Sequence, residues 1–242
     1  MNKTAVITGA SRGIGRSIAL KYAKMGYQLA ICCKQDRTAL EETRAGILSC
    51  HTSCISFIGD MGNHEDVKNF FDEILSRYGK IDVLINNAGI SYLGLLQDMT
   101  PEEWNQVIST NLNSVFYCSK AAIPDMIRRK SGKILSISSI WGDHGASMEV
   151  AYSASKGGVN AFTKALAKEL APSGICVNAI ACGVIDTSMN AFLSEEERQA
   201  LIEEIPAGRM GTCEEVAELA YTLGRESNYL TGQIITMDGG FS

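Results

Sequence analysis

Short apolar runs of strand length alternate along the chain with longer segments whose apolar positions recur every three or four residues. A period of two suits a strand and a period near 3.6 suits a helix with one buried stripe, so the two kinds of segment are separable by spacing. Seven runs read as strands, at about 3–8, 28–33, 54–59, 82–86, 133–138, 175–180 and 233–237. Helices fit between them at about 13–25, 38–49, 64–78, 101–127, 152–171, 190–204 and 213–224. Regular alternation of strand and helix predicts a parallel sheet covered on both faces. Two boundaries carry clear chemistry. Thr100-Pro101-Glu102-Glu103 offers an N-cap, a proline at the first helical position and a glutamate able to close a capping box. Pro172 and Gly174 stop the helix that begins near residue 152.

Composition narrows the class without changing that picture. The 242 residues are 45% hydrophobic, ample for a buried core, and no linker, low-complexity run or internal repeat divides them. One domain over 1–242 is expected, with a cofactor half of about 1–130 and a catalytic and substrate half of about 131–242. A net charge of -5 argues against an electrostatic grip on nucleic acid or an anionic membrane. The apolar stretches are too short to span a bilayer, and Thr4–Thr8 reads as the first core strand rather than part of a signal peptide, so a cytoplasmic protein is expected. The eight cysteines include Cys50 and Cys54 flanking His51, but the second ligand pair of a closed zinc site is missing. No metal is expected, and the thiols are read as small hydrophobes.

The first strand runs into Thr8-Gly9-Ala10-Ser11-Arg12-Gly13-Ile14-Gly15, which opens the first helix. Glycines relieve the cost of positive φ and let backbone approach a ligand, while the unpaired amides and positive dipole of a helix start favour an anion. In this context the turn points to a dinucleotide pyrophosphate. A site selective for NAD places a carboxylate at the end of the second strand, where this chain has Cys32-Cys33-Lys34. With Arg12 in the turn and Lys34 at the strand end, a 2′-phosphate is welcomed, so NADPH is the expected coenzyme.

Tyr152 and Lys156 stand four residues apart, on one face of a helix. A phenol of pKa about 10 parts slowly with its proton at neutral pH. A fixed cation nearby is expected to lower that pKa and make Tyr152 an efficient general acid. Ser139 precedes the tyrosine by thirteen positions and stands near the end of the fifth strand, placed to hydrogen-bond a carbonyl. A rival reading, an NADPH-binding redox sensor without turnover, leaves this acid unexplained.

These residues together resemble the short-chain dehydrogenase/reductase family over essentially the whole chain. The likeness rests on the Thr8–Gly15 turn, Asp60-Met61, Asn86-Asn87-Ala88-Gly89, Asn111, Ser139, Tyr152 and Lys156 in that order. It implies a Rossmann-like doubly wound sheet of seven parallel strands with helices on both faces, usually in a homotetramer. It implies cofactor roles for Gly9, Ser11, Arg12, Gly13, Ile14, Gly15, Lys34, Asp60, Met61, Asn87, Ala88, Gly89, Gly183, Ile185 and Thr187, and for Tyr152 and Lys156, which holds the nicotinamide ribose. Asn111, within the fourth helix, resembles the member that steadies a water linking the lysine to solvent. In Ala181-Cys182-Gly183 a cysteine replaces the usual proline, which is expected to loosen the turn modestly.

The substrate is less sharply drawn. Glu103-Trp104, the stretch Asn111–Phe116 and the ending Asp238-Gly239-Gly240 resemble 3-oxoacyl-acyl-carrier-protein reductases, and Arg128, Arg129 and Lys130 would then meet an acidic carrier. Ser138–Gly142 and Gly145–Val150 resemble instead a branch that reduces a 5-aminopentanone group on elongation factor P. There Glu149 or Asp143 would pair with the amine and Trp141 would pack on the chain, the alternative for Trp141 being a core anchor. The segment 188–206, with Met189, Phe192, Leu193, Leu201 and Ile205 on one side, has the size of a lid over substrate or of a surface helix packed on the sheet.

Overall fold

A computed structural model describes residues 3–190, 193–225 and 229–242. The strands are β1 (Thr4–Thr8), β2 (Gln28–Cys33), β3 (Cys54–Ile58), β4 (Val83–Asn86), β5 (Gly132–Ser139), β6 (Ile175–Cys182) and β7 (Ile234–Met237). They form one sheet in the order β3-β2-β1-β4-β5-β6-β7, every pair parallel. The winding reverses between β1 and β4, which opens a crevice at the carboxyl edge.

The helices among the described residues are α1 (Gly13–Lys24), α2 (Arg37–Leu48), α3 (His64–Tyr78), α4 (Pro101–Ile108), α5 (Ser114–Arg129), α6 (Trp141–His144), α7 (Val150–Leu170), α8 (Glu195–Glu204) and α9 (Cys213–Arg225). Apolar side chains of α1, α2 and α9 pack on one face of the sheet, around Ile7, Leu29, Ile31, Ile85 and Ile180. Those of α3, α5 and α7 pack on the other, around Val6, Ala30, Leu84, Ile134 and Val177. No helix of the described residues is long and apolar enough to cross a membrane.

The expected elements appear, with three corrections. The segment expected as one helix over 101–127 is α4 and α5 joined by a π-helical turn, Ser109–Asn113, and it carries Pro124 within α5. Asn111 lies in that turn. Ser109 Oγ donates to Gly62 O at 3.2 Å and anchors its start to the loop after β3. The helix expected at 190–204 begins only at Glu195, capped by Ser194 in a capping box, and none of its residues is buried. Its apolar side is therefore no packed stripe, although the following Ile205 is buried; Phe192 lies outside the described residues. Third, β5 and β6 extend to Ser139 and Cys182, so both stand within the ladder, in register with one another.

Part of the basic cluster is held by the fold. Asp125 of α5 is buried and accepts from the backbone N–H of Ile81 at 2.9 Å. It also pairs with Arg128 at 2.5 Å and with Arg129 at 2.9 Å. Arg129 further reaches Ile81 O and Asp82, whose other oxygen accepts from Thr4 N at 2.8 Å. Asp125 and Arg129 clamp α5 to the starts of β1 and β4, while Arg128 pairs within α5. Within the chain they sit at the amino edge, roughly 23 Å from Ser139 along β5 at about 3.3 Å per residue. Removing the carboxylate would leave the buried Ile81 amide without an acceptor and Arg129 with Asp82 and Ile81 O alone. Asp125→Ala is expected to lose about 3 kcal/mol of stability, hence about 6–12 °C in Tm, measured by thermal unfolding. An unchanged Tm would show the clamp to be dispensable.

Candidate active site

Every expected coenzyme residue lies at the carboxyl edge of the sheet. Gly9 has a φ of +65°, and a Cβ there would come within 2.9 Å of Ala88 Cα. At Gly15 a Cβ would stand 2.2 Å from Gly9 O and 2.4 Å from Asn87 Nδ2. Only glycine allows this approach. Arg12 stands at the N-cap of α1, no side chain caps the helix, and its first amides are left for an anion. Thr187 closes the cradle from the loop after β6, its methyl 3.6 Å from where a Gly13 Cβ would be. Ser11 and Met61 are buried, while Arg12 is exposed. The donor set and the glycine cradle fit a dinucleotide.

Asn87 braces this cradle. Its side-chain amide donates to Thr8 O at 2.9 Å and Gly9 O at 3.0 Å. In return Thr8 Oγ1 accepts from the backbone amides of Asn87 and Ala88, both at 3.0 Å. Thr8 was singled out only as the head of the glycine motif; its place at a strand end facing the loop after β4 gives the hydroxyl this role.

Lys34 does not stand free. Its Nζ is 2.7 Å from Asp60 Oδ2, and Asp60 Oδ1 accepts from Gly62 N at 2.8 Å. The turn expected to be loosened by Cys182 is held: Ile140 N donates to Cys182 O at 3.0 Å and Gly183 N to Met237 O at 2.9 Å. A Cβ on Gly183 would come 2.6 Å from Asp238 Cβ, so this close approach too needs glycine. Burial pushes the Cys182 thiol up to about 12.

Ser139, Tyr152 and Lys156 converge beside this crevice. Ser139 Oγ accepts from Trp141 N at 3.2 Å and is near enough to the Tyr152 phenol to favour its ionised form. Lys156 is buried; its Nζ donates to Ile137 O at 2.8 Å and lies 5.5 Å from the centre of the Tyr152 ring. Asn111 Oδ1 accepts from Ile90 N at 2.8 Å, and its Nδ2 donates to Ile90 O at 2.9 Å and Ser155 Oγ at 3.0 Å. Its side chain is thus a strut between the π-turn, the loop after β4 and α7. Both Asn111 Oδ1 and Lys156 Nζ approach Gly89, at 3.5 and 3.6 Å from an added Cβ. Ser155, three residues after Tyr152, completes the strut by donating to Tyr152 O at 2.7 Å. Sequence reasoning missed it; its signal was its place on the buried face of α7.

The electrostatics differ from expectation. Burial raises the Tyr152 phenol well above its ordinary 10.0, the nearby Ser139 hydroxyl opposes this and Glu149 adds to it. Lys156 does not lower it here. Burial instead lowers the ammonium of Lys156 from 10.5 to about 8, with the Cys182 thiol acting the other way. Desolvation outweighs the cation because the amine is itself buried and turned toward the Ile137 carbonyl. A phenol held protonated is the form a general acid needs.

The candidate substrate residues line the mouth unequally. Glu149 Oε1 accepts from Ser91 Oγ at 2.8 Å, and Gly94 N donates to Met148 O at 2.8 Å, tying the loop after β4 to the segment before α7. Exposed Leu93, Leu95 and Met148 lie on these two segments, Val150 opens α7, and Met189 is exposed in the segment after β6. Trp141 makes an edge contact with Phe241 at 5.9 Å, which favours its reading as an anchor. Asp143 accepts from Asn160 Nδ2 at 3.1 Å. Arg198 of α8 pairs with Asp186 at 3.0 Å.

A family model described as short chain dehydrogenase matches residues 3–198. The chain belongs to the short-chain dehydrogenase/reductase family. It is an oxidoreductase of that family, which works with a nicotinamide coenzyme. The 3-oxoacyl-[acyl-carrier-protein] reductase FabG of Staphylococcus epidermidis is 39% identical over 241 residues, 99% of each chain. FabG of Chlamydia muridarum is 41% identical over 245 residues, 100% of this chain and 98% of its own. FabG of Escherichia coli K12 is 39% identical over 242 residues, 98% of this chain and 96% of its own. A crystal structure of a short-chain type dehydrogenase/reductase from Mycobacterium marinum superposes with a TM-score of 0.94 at 34% identity, over 99% of this chain and 95% of that one.

Below pH 8 the folded protein bears the full cost of burying the Lys156 ammonium. Between about 8 and the unfolded value of 10.5 the folded amine is neutral while the unfolded one is still charged, so the penalty fades as pH rises. Lys156→Met, without added coenzyme, is expected to raise Tm by a few degrees at neutral pH, the gain vanishing toward pH 10.5. A gain that stays constant with pH would refute this electrostatic account.

Proposed function

We propose that the protein reduces the ketone of a 3-oxoacyl thioester on acyl carrier protein to the 3-hydroxy product, with NADPH. The observation that carries this reading is the convergence of Ser139 and the buried Tyr152 phenol beside the glycine cradle, with the buried amine of Lys156 one turn further along α7. A bound reduced nicotinamide supplies the hydride. Ser139 holds the carbonyl oxygen, and Tyr152 gives its proton to that oxygen as the carbonyl carbon is reduced, so one hydride and one proton yield the alcohol. Lys156 binds the coenzyme ribose and keeps a positive charge near the phenolate left behind. Asn111 positions Tyr152 through Ser155 and holds the loop after β4 through Ile90. The apolar side chains at the mouth suit an acyl chain, and the shared name of the full-length relatives supports the same substrate class.

The NADPH preference rests on the missing carboxylate at Cys32-Cys33-Lys34 and on the exposed guanidinium of Arg12. Purified protein is expected to oxidise NADPH on addition of acetoacetyl-acyl-carrier protein, with kcat/KM higher for NADPH than for NADH. Tyr152→Phe keeps the shape and is expected to lower kcat at least about 100-fold. Near-normal turnover in that variant would end the mechanism.

One observation favours a second substrate. Glu149 is partly buried beside Tyr152, and among the described residues no cation pairs with it. A ketone bearing an ammonium, such as the 5-aminopentanone group on elongation factor P, would supply that partner. Presenting both substrates with NADPH decides between them, because the true one is consumed with the higher kcat/KM.

A further inference from the structure

We propose that Asp60 limits the preference for NADPH by holding Lys34 in an ion pair, leaving Arg12 as the main cation for the 2′-phosphate. This rests on the reading of the crevice as a nicotinamide dinucleotide site, and it reassigns the work of the two basic residues there.

The geometry begins with the strand ends. Cys33 of β2 and Ile58 of β3 are in register, so the residues just beyond them, Lys34 and Asp60, rise side by side from the sheet. The carboxylate is not mobile. Asp60 Oδ1 accepts from Gly62 N at 2.8 Å, and Asp60 N donates to Asp66 Oδ2 at 2.8 Å, so the start of α3 fixes the turn around it. Lys34 Nζ meets the remaining oxygen at 2.7 Å. A lysine is a point charge on a flexible stem, and here the fixed partner decides where the charge lies.

Arg12 is placed differently. The glycine turn is tied to the end of β2 where Ala10 N donates to Cys32 O at 3.0 Å. Two residues further along each segment stand Arg12 and Lys34, so the two cations flank one corner of the crevice. Among the described residues no carboxylate pairs with Arg12. Its guanidinium keeps all its donors for a phosphate. A 2′-phosphate therefore meets one free cation and one that is already neutralised. The site favours NADPH, with a margin that Asp60 reduces.

Asp60 also faces the crevice, so replacing it disturbs both coenzymes. The ratio of their affinities removes that shared part. Dissociation constants for NADP and NAD are measured by calorimetry on the wild type, Arg12→Ala, Lys34→Ala, Asp60→Asn and the Lys34→Ala/Asp60→Asn double variant. Arg12→Ala is expected to weaken NADP about tenfold more than it weakens NAD, as the loss of a charge-assisted phosphate contact implies. Lys34→Ala is expected to change the ratio by less than about threefold, the scale of an exposed ion pair. Asp60→Asn is expected to shift the ratio toward NADP by about three- to fivefold, and much less once Lys34 is gone. An equal shift with and without Lys34 would reduce Asp60 to long-range repulsion and overturn the proposal. So would a larger loss from Lys34→Ala than from Arg12→Ala. A wild type that prefers NAD would defeat the NADPH reading, yet the dependence of the Asp60→Asn shift on Lys34 would still be measured, so the two failures are distinguishable.

Discussion

Thr8 and Asn87 join the ends of two neighbouring strands at the point where the winding of the sheet reverses, and the site depends on that knot. Four hydrogen bonds of 2.9–3.0 Å link the side chain of each residue to the backbone of the other's segment. They hold the glycine turn against the loop after β4, which is why Gly9 and Gly15 tolerate no side chain. With that turn fixed, α1 points its uncapped amides into the crevice, and Gly89 brings the same loop under Asn111 and Lys156. The glycine cradle and the proposed acid are thereby parts of one rigid edge.

The proposed acid is built against the grain of folding. A lysine that is 5% exposed, and a phenol raised by burial, are groups a stable core would avoid. The surrounding polar contacts make the arrangement tolerable: Ile137 O receives the amine, Ser138 and Asn160 bond each other at 2.6 Å alongside, and Ser155 turns back to Tyr152. The neighbouring strands, parallel and covered on both faces, supply the rigidity that keeps these groups in place.

Much of this was legible in the chain. Strand and helix periodicity gave all seven strands and most helix boundaries, because continuous apolar runs and capping motifs such as Thr100–Glu103 are local signals. The glycine turn, Ser139, Tyr152 and Lys156 were legible because their chemistry is tied to fixed spacing. What escaped depends on contacts across the fold. The pairing of Lys34 with Asp60 joins residues from different strand ends, and the consumption of Arg129 by Asp125 and Asp82 follows from where α5 lands on the sheet. The direction of the Tyr152 shift escaped for the same reason: spacing shows that a cation is near, but only packing shows that water is not.

The π-turn at Ser109–Asn113 adds a constraint of another kind. Such a turn is a helix with one residue too many, and the surplus both rotates Asn111 into its strut and resets the phase of everything that follows. Deleting a single residue there would restore an unbroken helix, swing the apolar stripe of α5 off the sheet by about 100°, and carry the asparagine to another side. The length of this segment is therefore as much a part of the candidate site as the asparagine it carries.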